Sequence, residues 1–160
     1  VAETYLPVPF EDLFAVHQII FAAEGAALHS ANLERFPDHY GPRIRTGVEA
    51  GSLIPSPYLL QAYRLQRRHS ATISAFLSDF DALLLPTVST EACDPEDTGD
   101  RRFQIPSTLL GLPAISLPTG LSQNDLPLAA QLIGQAGRDQ ELLALSAAVV
   151  GSYPLIGRPI

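Results

Sequence analysis

Apolar residues recur at helical spacing through the first half of the chain, then give way to short runs broken by Pro and Gly. Leu13, Phe14, His17, Ile20, Phe21, Glu24 and Leu28 fall within one arc at 3.6 residues per turn, which predicts a long amphipathic helix over Glu11–Leu33. Pro37 to Pro42 reads as a loop. Pro42 is placed to open a short helix through Ala50 that Gly51 ends. Ser56 with Pro57 reads as an N-cap followed by Pro at the first helical position. Leu59, Ala62, Gln66, His69, Ile73, Phe76, Leu77 and Phe80 then share one face, a helix of about 22 residues reaching Asp79.

The second half has a different rhythm. Ala82–Leu85 is a short apolar run stopped at Pro86, as expected of a strand. Thr87–Arg102 is a polar loop of a length that compact domains usually reserve for function or disorder. Ala114–Leu117 is a continuous apolar run between Pro113 and Pro118, the pattern of a strand covered on both faces and stopped abruptly. Leu128–Ile133 follows a turn built from Asn124, Asp125 and Pro127. In Asp139–Val150, Asp139 is a candidate cap, Leu142, Leu143, Ser146, Val149 and Val150 form a helical stripe, and Gly151 ends the element. These elements predict one α/β domain over residues 1–160, with helices on the faces of a mixed β-sheet of at least three strands.

Composition narrows the function classes. A chain of 160 residues with 46% hydrophobic and 17% charged residues is globular rather than disordered. A net charge of −7 disfavours nucleic acid and other polyanions, which need clustered cations. The basic trio Arg64, Arg67 and Arg68 reads as a solvated helix face. No apolar run approaches the ~18 residues of a membrane span, and a single cysteine excludes an internal disulfide. Val1–Pro9 lacks the basic-then-apolar order of a signal peptide, so the expected compartment is the cytoplasm.

Metal and nucleophile motifs are weak. In the acidic loop, Asp94, Glu96, Asp97 and Asp100 suggest a calcium frame with Gly99 sixth, but its twelfth position is Ile105, where a bidentate Glu is required. His17, His29, His39 and His69 form no His-x-x-x-His pair, and Cys93 stands alone. No Gly-x-Ser-x-Gly elbow is present. Neither a metal nor a cofactor is expected. Glu24 is the anomaly of the first helix, since an ionised carboxylate in an apolar stripe is costly unless hydrogen-bonded.

Several blocks, in matching order, carry a resemblance. Gly111–Ala114 (Gly-Leu-Pro-Ala), Leu126–Gly134 (Leu-Pro-x-x-x-Gln-Leu-Ile-Gly) and the closing helix Arg138–Val150 resemble the end of an amidase signature family hydrolase. Upstream, Glu24-Gly25-Ala26, Arg43-Ile44 followed by Gly47, the aromatic and Arg residues of Ser56–Arg67, and the strand ending in Pro86-Thr87 match that family in sequence order. The resemblance covers nearly the whole chain. It implies the C-terminal portion of the amidase signature fold, roughly the final third of a longer polypeptide, and the chain is expected to be a fragment. On that expectation, part of its apolar surface is meant to pack against the missing N-terminal portion, and the piece alone is expected to self-associate.

The family is known for a Ser, cis-Ser, Lys triad in which a neutral Lys amine accepts the proton relayed from the nucleophilic Ser. This chain has no lysine: all ten basic residues are arginine, whose guanidinium stays protonated and cannot act as a base. The Gly- and Ser-rich segment is absent as well, so no catalytic residue is expected in these 160 positions. The resemblance implies a parent that converts a small carboxamide and water to a carboxylate and ammonia or an amine through a Ser acyl-enzyme. Two alternatives stand beside it: part of a tRNA-dependent amidotransferase subunit, or a non-catalytic partner-binding or structural module built on the same fold.

By resemblance, Arg43 lies in the block where the amidotransferase branch places an arginine for a substrate carboxylate. Thr98, Gly99 and Thr108 lie in the segments that approach the substrate pocket. Thr108 departs from the pattern, because many relatives carry Asn three residues before the Gly of Gly-Leu-Pro-Ala. The expected substrate-binding residues are thus Arg43, Thr98, Gly99 and Thr108.

Overall fold

The computed structural model describes residues 1–152. They form helices α1 (Phe10–Arg35), α2 (Pro42–Ser52) and α3 (Ser56–Leu77), strand β1 (Leu83–Pro86), the short helix α4 (Ile105–Leu110), strands β2 (Ala114–Leu121) and β3 (Pro127–Ile133), and helix α5 (Asp139–Ser152). Helices α1, α2, α3 and α5 stand where the sequence pattern predicts them, to within two residues at each end. Ser56 opens α3 from inside, with Pro55 in the capping position.

One core joins α1, α3 and α4. Val8, Leu13, Val16, Ile20, Ala62, Ile73, Leu77, Ile105, Leu109 and Leu110 are all buried in it. Gln66 on α3 donates to the Leu109 carbonyl at 2.8 Å, satisfying a backbone acceptor where the two helices meet. The α1 stripe divides in two. Leu13, Val16 and Ile20 face the core, whereas Phe14, Phe21 and Leu28 are 46%, 56% and 72% exposed. Seven-residue steps align these three on an open side of the helix. Glu24 is exposed and accepts a hydrogen bond from the Tyr63 hydroxyl at 2.9 Å, so the burial cost the sequence implied does not arise.

Helix α2 packs on α1 through a glycine. Gly51 is buried inside α2 rather than ending it, and a Cβ there would run into the backbone carbonyl of Ala22 and touch the Ala26 Cβ at 3.0 Å. Only Gly lets these backbones approach so closely. The Ser30 and Ser52 hydroxyls lie 3.4 Å apart at the same crossing.

The sheet has order β1-β3-β2, and both pairings are antiparallel. This corrects the expectation of a mixed sheet: β1 and β2 run the same way, but β3 is inserted between them, so no parallel ladder forms among the described residues. β2 and β3 are a hairpin. Its turn is closed by the Ser122 amide donating to the Leu126 carbonyl at 2.8 Å, with Asp125 at φ 57°. β2 outruns its expected stop at Pro118 through a register irregularity between Pro118 and Gly120. It is not covered on both faces either, since none of its residues is buried. Its outer edge pairs with nothing among the described residues, and Pro118 can sit there because an edge residue need not donate.

The sequence pattern predicts no helix at α4. Five of its six residues are buried, so no amphipathic period marks it. Its end has a clear cause: Gly111 adopts φ 65° and the Leu112 amide reaches back to the Ser107 carbonyl at 3.0 Å, a left-handed cap. Helix α5 lies on β2 and β3, burying Leu142 and Ser146 while Leu143 of the predicted stripe is exposed. Gln135 secures this layer to the helical one by donating to the Leu77 carbonyl at 3.0 Å.

The two glycines of α2 test this packing with opposite signs. Gly51→Ala is expected to lose about 1–3 kcal/mol through the steric conflict with α1. Gly47→Ala, where an added methyl meets nothing within 4 Å, is expected to gain about 0.5–1 kcal/mol from reduced backbone entropy in the unfolded chain. Urea midpoints of the two variants check both directions.

Candidate functional site

The site is built on the loop between β1 and α4, and that loop is held at both ends by one side chain. Gln131 is buried in the centre of β3, and its Nε2 donates to the Pro86 carbonyl at 3.2 Å and to the Phe103 carbonyl at 2.7 Å. Those two carbonyls flank Thr87–Arg102. In the sheet register Gln131 faces Leu85 on β1 and Ser116 on β2. Thr87 and Ser116 share a hydrogen bond at 2.8 Å across β3, so a small polar cluster stands at this end of the sheet.

Further contacts order the loop outward from that base. The Ser89 hydroxyl donates to Asp100 Oδ2 at 3.0 Å, drawing the two limbs together. Asp100 also accepts from the Arg102 amide and from Arg102 Nε. Farther out, the Asp97 amide donates to the Asp94 carbonyl at 2.8 Å, and the Glu96 amide to Asp94 Oδ1 at 2.9 Å. Gly99 takes φ 66° beside the Cys93 sulfur, a conformation that favours glycine. Glu91 accepts from the Asn124 side chain at 2.6 Å, tying the loop to the β2–β3 turn. This is a compact, self-packed loop of the Ω type.

Arg43 reaches the loop from α2. Its Nη1 donates to the Thr98 hydroxyl at 3.2 Å and lies 3.6 Å from Asp97 Oδ1. The structure therefore brings together Arg43, Thr98 and Gly99, three of the four residues expected to bind substrate. Thr108 is placed apart from them, exposed on α4. Ser116 and Ser89 join the site without having been marked by any motif, and Gln131 and Asp100 join it from blocks in which the sequence assigns them no role at the site. The available signal was Gln131, a polar residue inside the apolar run Leu128–Ile133.

The carboxylates are tuned by local donors. The amides of Thr98 and Gly99 hold the Asp97 carboxyl below its ordinary range, with Arg43 adding to the effect. The Arg102 amide does the same for Asp100, helped by Ser89 and the Arg102 charge. Glu91 is lowered by the Ser122 hydroxyl and the Asn124 side chain. Behind the loop, Arg101 lies 5.9 Å over the Phe21 ring of α1. Phe21 stacks on His17 with centroids 5.5 Å apart. Burial pushes the His17 ring below its usual value, and the Arg101 charge lowers it further. Among the described residues no three His, Cys, Asp or Glu side chains converge on a common metal position. No helix there is long and apolar enough to cross a membrane.

Two outcomes test this loop. Gln131→Leu leaves two carbonyls without their donor, and is expected to cost about 1–3 kcal/mol in urea unfolding and to speed proteolysis within Thr87–Arg102. The second concerns acid. Because their folded pKa values are depressed, Asp97 and Asp100 contribute stability that is present above the ordinary 3.8 and is lost as pH falls through the folded midpoints. Carboxyl NMR titration is expected to give both midpoints below 3.8. Arg43→Gln should raise that of Asp97 only partly, since backbone amides are the larger cause, and leave Asp100 unchanged.

Comparison with known proteins places this geometry. The amidase family model matches residues 3–143. The chain is 32% identical over 133 residues to the A subunit of glutamyl-tRNA(Gln) amidotransferase from Granulibacter bethesdensis, covering 75% of this chain and 27% of that protein. It is 31% identical over 149 residues to the corresponding protein of Novosphingobium aromaticivorans, covering 85% and 30%. It thus spans less than a third of the length of either relative. Among solved structures, a crystal structure of an amidase superposes with a TM-score of 0.85 at 23% identity, over 93% of this chain and 37% of that one. The glutamyl-tRNA(Gln) amidotransferase A subunit of Thermotoga maritima superposes with a TM-score of 0.70 at 28% identity, over 92% and 34%. With a family match over most of its length and the same arrangement of helices and strands, this chain belongs to the amidase family.

Proposed function

We propose that this chain forms part of the substrate-pocket wall of an amidase-type hydrolase. The reaction is that of an amide with water, giving a carboxylate and ammonia or an amine through a Ser acyl-enzyme. The Ser, cis-Ser and Lys of that chemistry come from the remainder of the fold, since a chain without lysine carries no amine side chain to accept the serine proton. The exposed Leu28 end of α1 and the open edge of β2 receive that remainder, and are the surfaces through which the piece self-associates without it.

The observation that carries this reading is the contact between Arg43 and Thr98, 55 residues apart in sequence. It joins the two segments that the family resemblance links to substrate, Arg43 on α2 and Thr98–Gly99 in the loop. A guanidinium beside a hydroxyl and the open backbone of Gly99 suits a polar substrate group, a carboxylate above all. Thr108 belongs to the same wall from α4. A second reading, part of a tRNA-dependent amidotransferase subunit, is favoured by the names of the relatives at 31% and 32% identity.

Assays on simple carboxamides and on glutamine test both readings. The purified 160-residue chain is expected to be inactive alone and to acquire activity only with a polypeptide carrying the Ser, cis-Ser and Lys segment. In the reconstituted enzyme, Arg43→Gln is expected to lower kcat/KM about ten-fold for amides bearing a carboxylate and to spare neutral ones. Glutamine turnover with neglect of simple amides would select the amidotransferase reading. Turnover by the chain alone, abolished by changing one of its own residues, would overturn both.

A further inference from the structure

We propose, on the reading that Arg43, Thr98 and Gly99 meet the substrate, that Gln131 is a positioning residue for amide hydrolysis. By fixing one limb of the Thr87–Arg102 loop against the other, it sets where Thr98 and Gly99 stand against Arg43. The two ends of the loop are held by different layers. The Pro86 end belongs to the sheet, where Pro86 faces Ala130 and the Thr87 amide donates to the Ala129 carbonyl at 3.1 Å. The Phe103 end belongs to the helices: its ring meets Phe10 of α1 edge-on at 6.0 Å, and α4 begins two residues later. Gln131 spans the gap, since its Nε2 donates to both end carbonyls, at 3.2 Å and 2.7 Å. The two N–H bonds of one amide diverge by about 120°, so they hold those oxygens about 5 Å apart.

That spacing is passed outward in matched steps. Three residues beyond each carbonyl, the Ser89 hydroxyl and Asp100 join the limbs at 3.0 Å. Asp100 also takes the Arg102 amide at 3.0 Å, which fixes the turn on the helical side. Thr98 and Gly99 immediately precede Asp100, and Thr98 is where Arg43 Nη1 arrives at 3.2 Å. The Ser89 and Thr98 bonds are exposed, so water can replace either one and neither holds the limbs by itself. Gln131 is only 4% exposed, and its donors face no such competition. A short chain of bonded groups therefore runs from the centre of β3 to the Arg43 contact.

Gln131→Met keeps an unbranched side chain of similar length and removes both donors. In the enzyme reconstituted with the Ser, cis-Ser and Lys polypeptide, it is expected to raise KM for carboxylate-bearing amides about five-fold or more while kcat changes by no more than about two-fold. Ser89→Ala, an exposed change that leaves the sheet intact, is expected to raise the same KM about two-fold. Ile73→Val in the buried core also lowers stability but lies outside this chain of contacts, and is expected to leave KM unchanged. On the 160-residue chain, the Asp100 carboxyl midpoint read by NMR is expected to rise toward 3.8 in Gln131→Met and to stay in place in Ile73→Val. Amides that all tolerate Arg43→Gln would overturn the substrate reading and this proposal with it. With the Arg43→Gln effect intact, an unchanged KM in Gln131→Met or Ser89→Ala, an equal rise in Ile73→Val, or an Asp100 midpoint unmoved by Gln131→Met would overturn the positioning role alone.

Discussion

A single amide in the middle of the sheet holds the long polar loop of this structure in place. Gln131 closes the base of the loop from Thr87 to Arg102 by binding the carbonyls on either side of it. Ordering a loop of this length costs entropy that its own exposed contacts offset poorly, because each is a hydrogen bond or ion pair in water. The buried donor is different. It satisfies two acceptors where water does not compete, so its loss leaves them unsatisfied rather than exchanged to solvent. Ser89 with Asp100, the Asp94 turn and the Arg43 contact can then act on a loop whose ends are already fixed. The position of Arg43 against Thr98 depends on this base and on the close crossing at Gly51 that sets α2 on α1.

The same architecture explains why one polypeptide is tightly cored on one side and open on another. Between α1, α3 and α4 the apolar residues are buried to near zero exposure, with Leu13 and Leu77 fully enclosed. On the outer side of α1 and along β2 they are not. In a fold whose relatives are more than three times as long, such surfaces suit a junction with further parts of the domain. On the proposed reading the candidate site sits at that junction. Its polar loop faces outward, where side chains from elsewhere in the fold would complete a cavity that these residues only line.

Much of this is legible in the residues alone, and the departures have definite causes. Helices α1, α3 and α5 carry strong periodicity or clear punctuation, and the expected bounds lie close to the observed ones. α4 escapes a pattern reading because burial on nearly every side erases the period that marks a helix. Gly51 has the signature of a stop, since a glycine near the end of a helical run has that role more often than it serves a helix crossing. The mixed sheet is an error of topology: each strand is recognisable, but the order β1-β3-β2 depends on a chain reversal that local residues do not encode. For the site, motif order puts Arg43, Thr98 and Gly99 in one functional region. It gives no sign that Gln131 bridges the two ends of the loop or that Asp100 pairs with Arg102.

What the amino-acid sequence by itself determined is therefore the family, the sites of the main elements and the lack of an amine base, because these reside in residue identity and short-range spacing. The tertiary structure alone decided which polar groups meet: that Arg43 faces Thr98, that Gln131 bridges both loop ends, and that Arg102 pairs with Asp100. Such pairings depend on how the chain is brought back on itself, and only the packing of helices on the sheet sets their charges and donors within bonding distance.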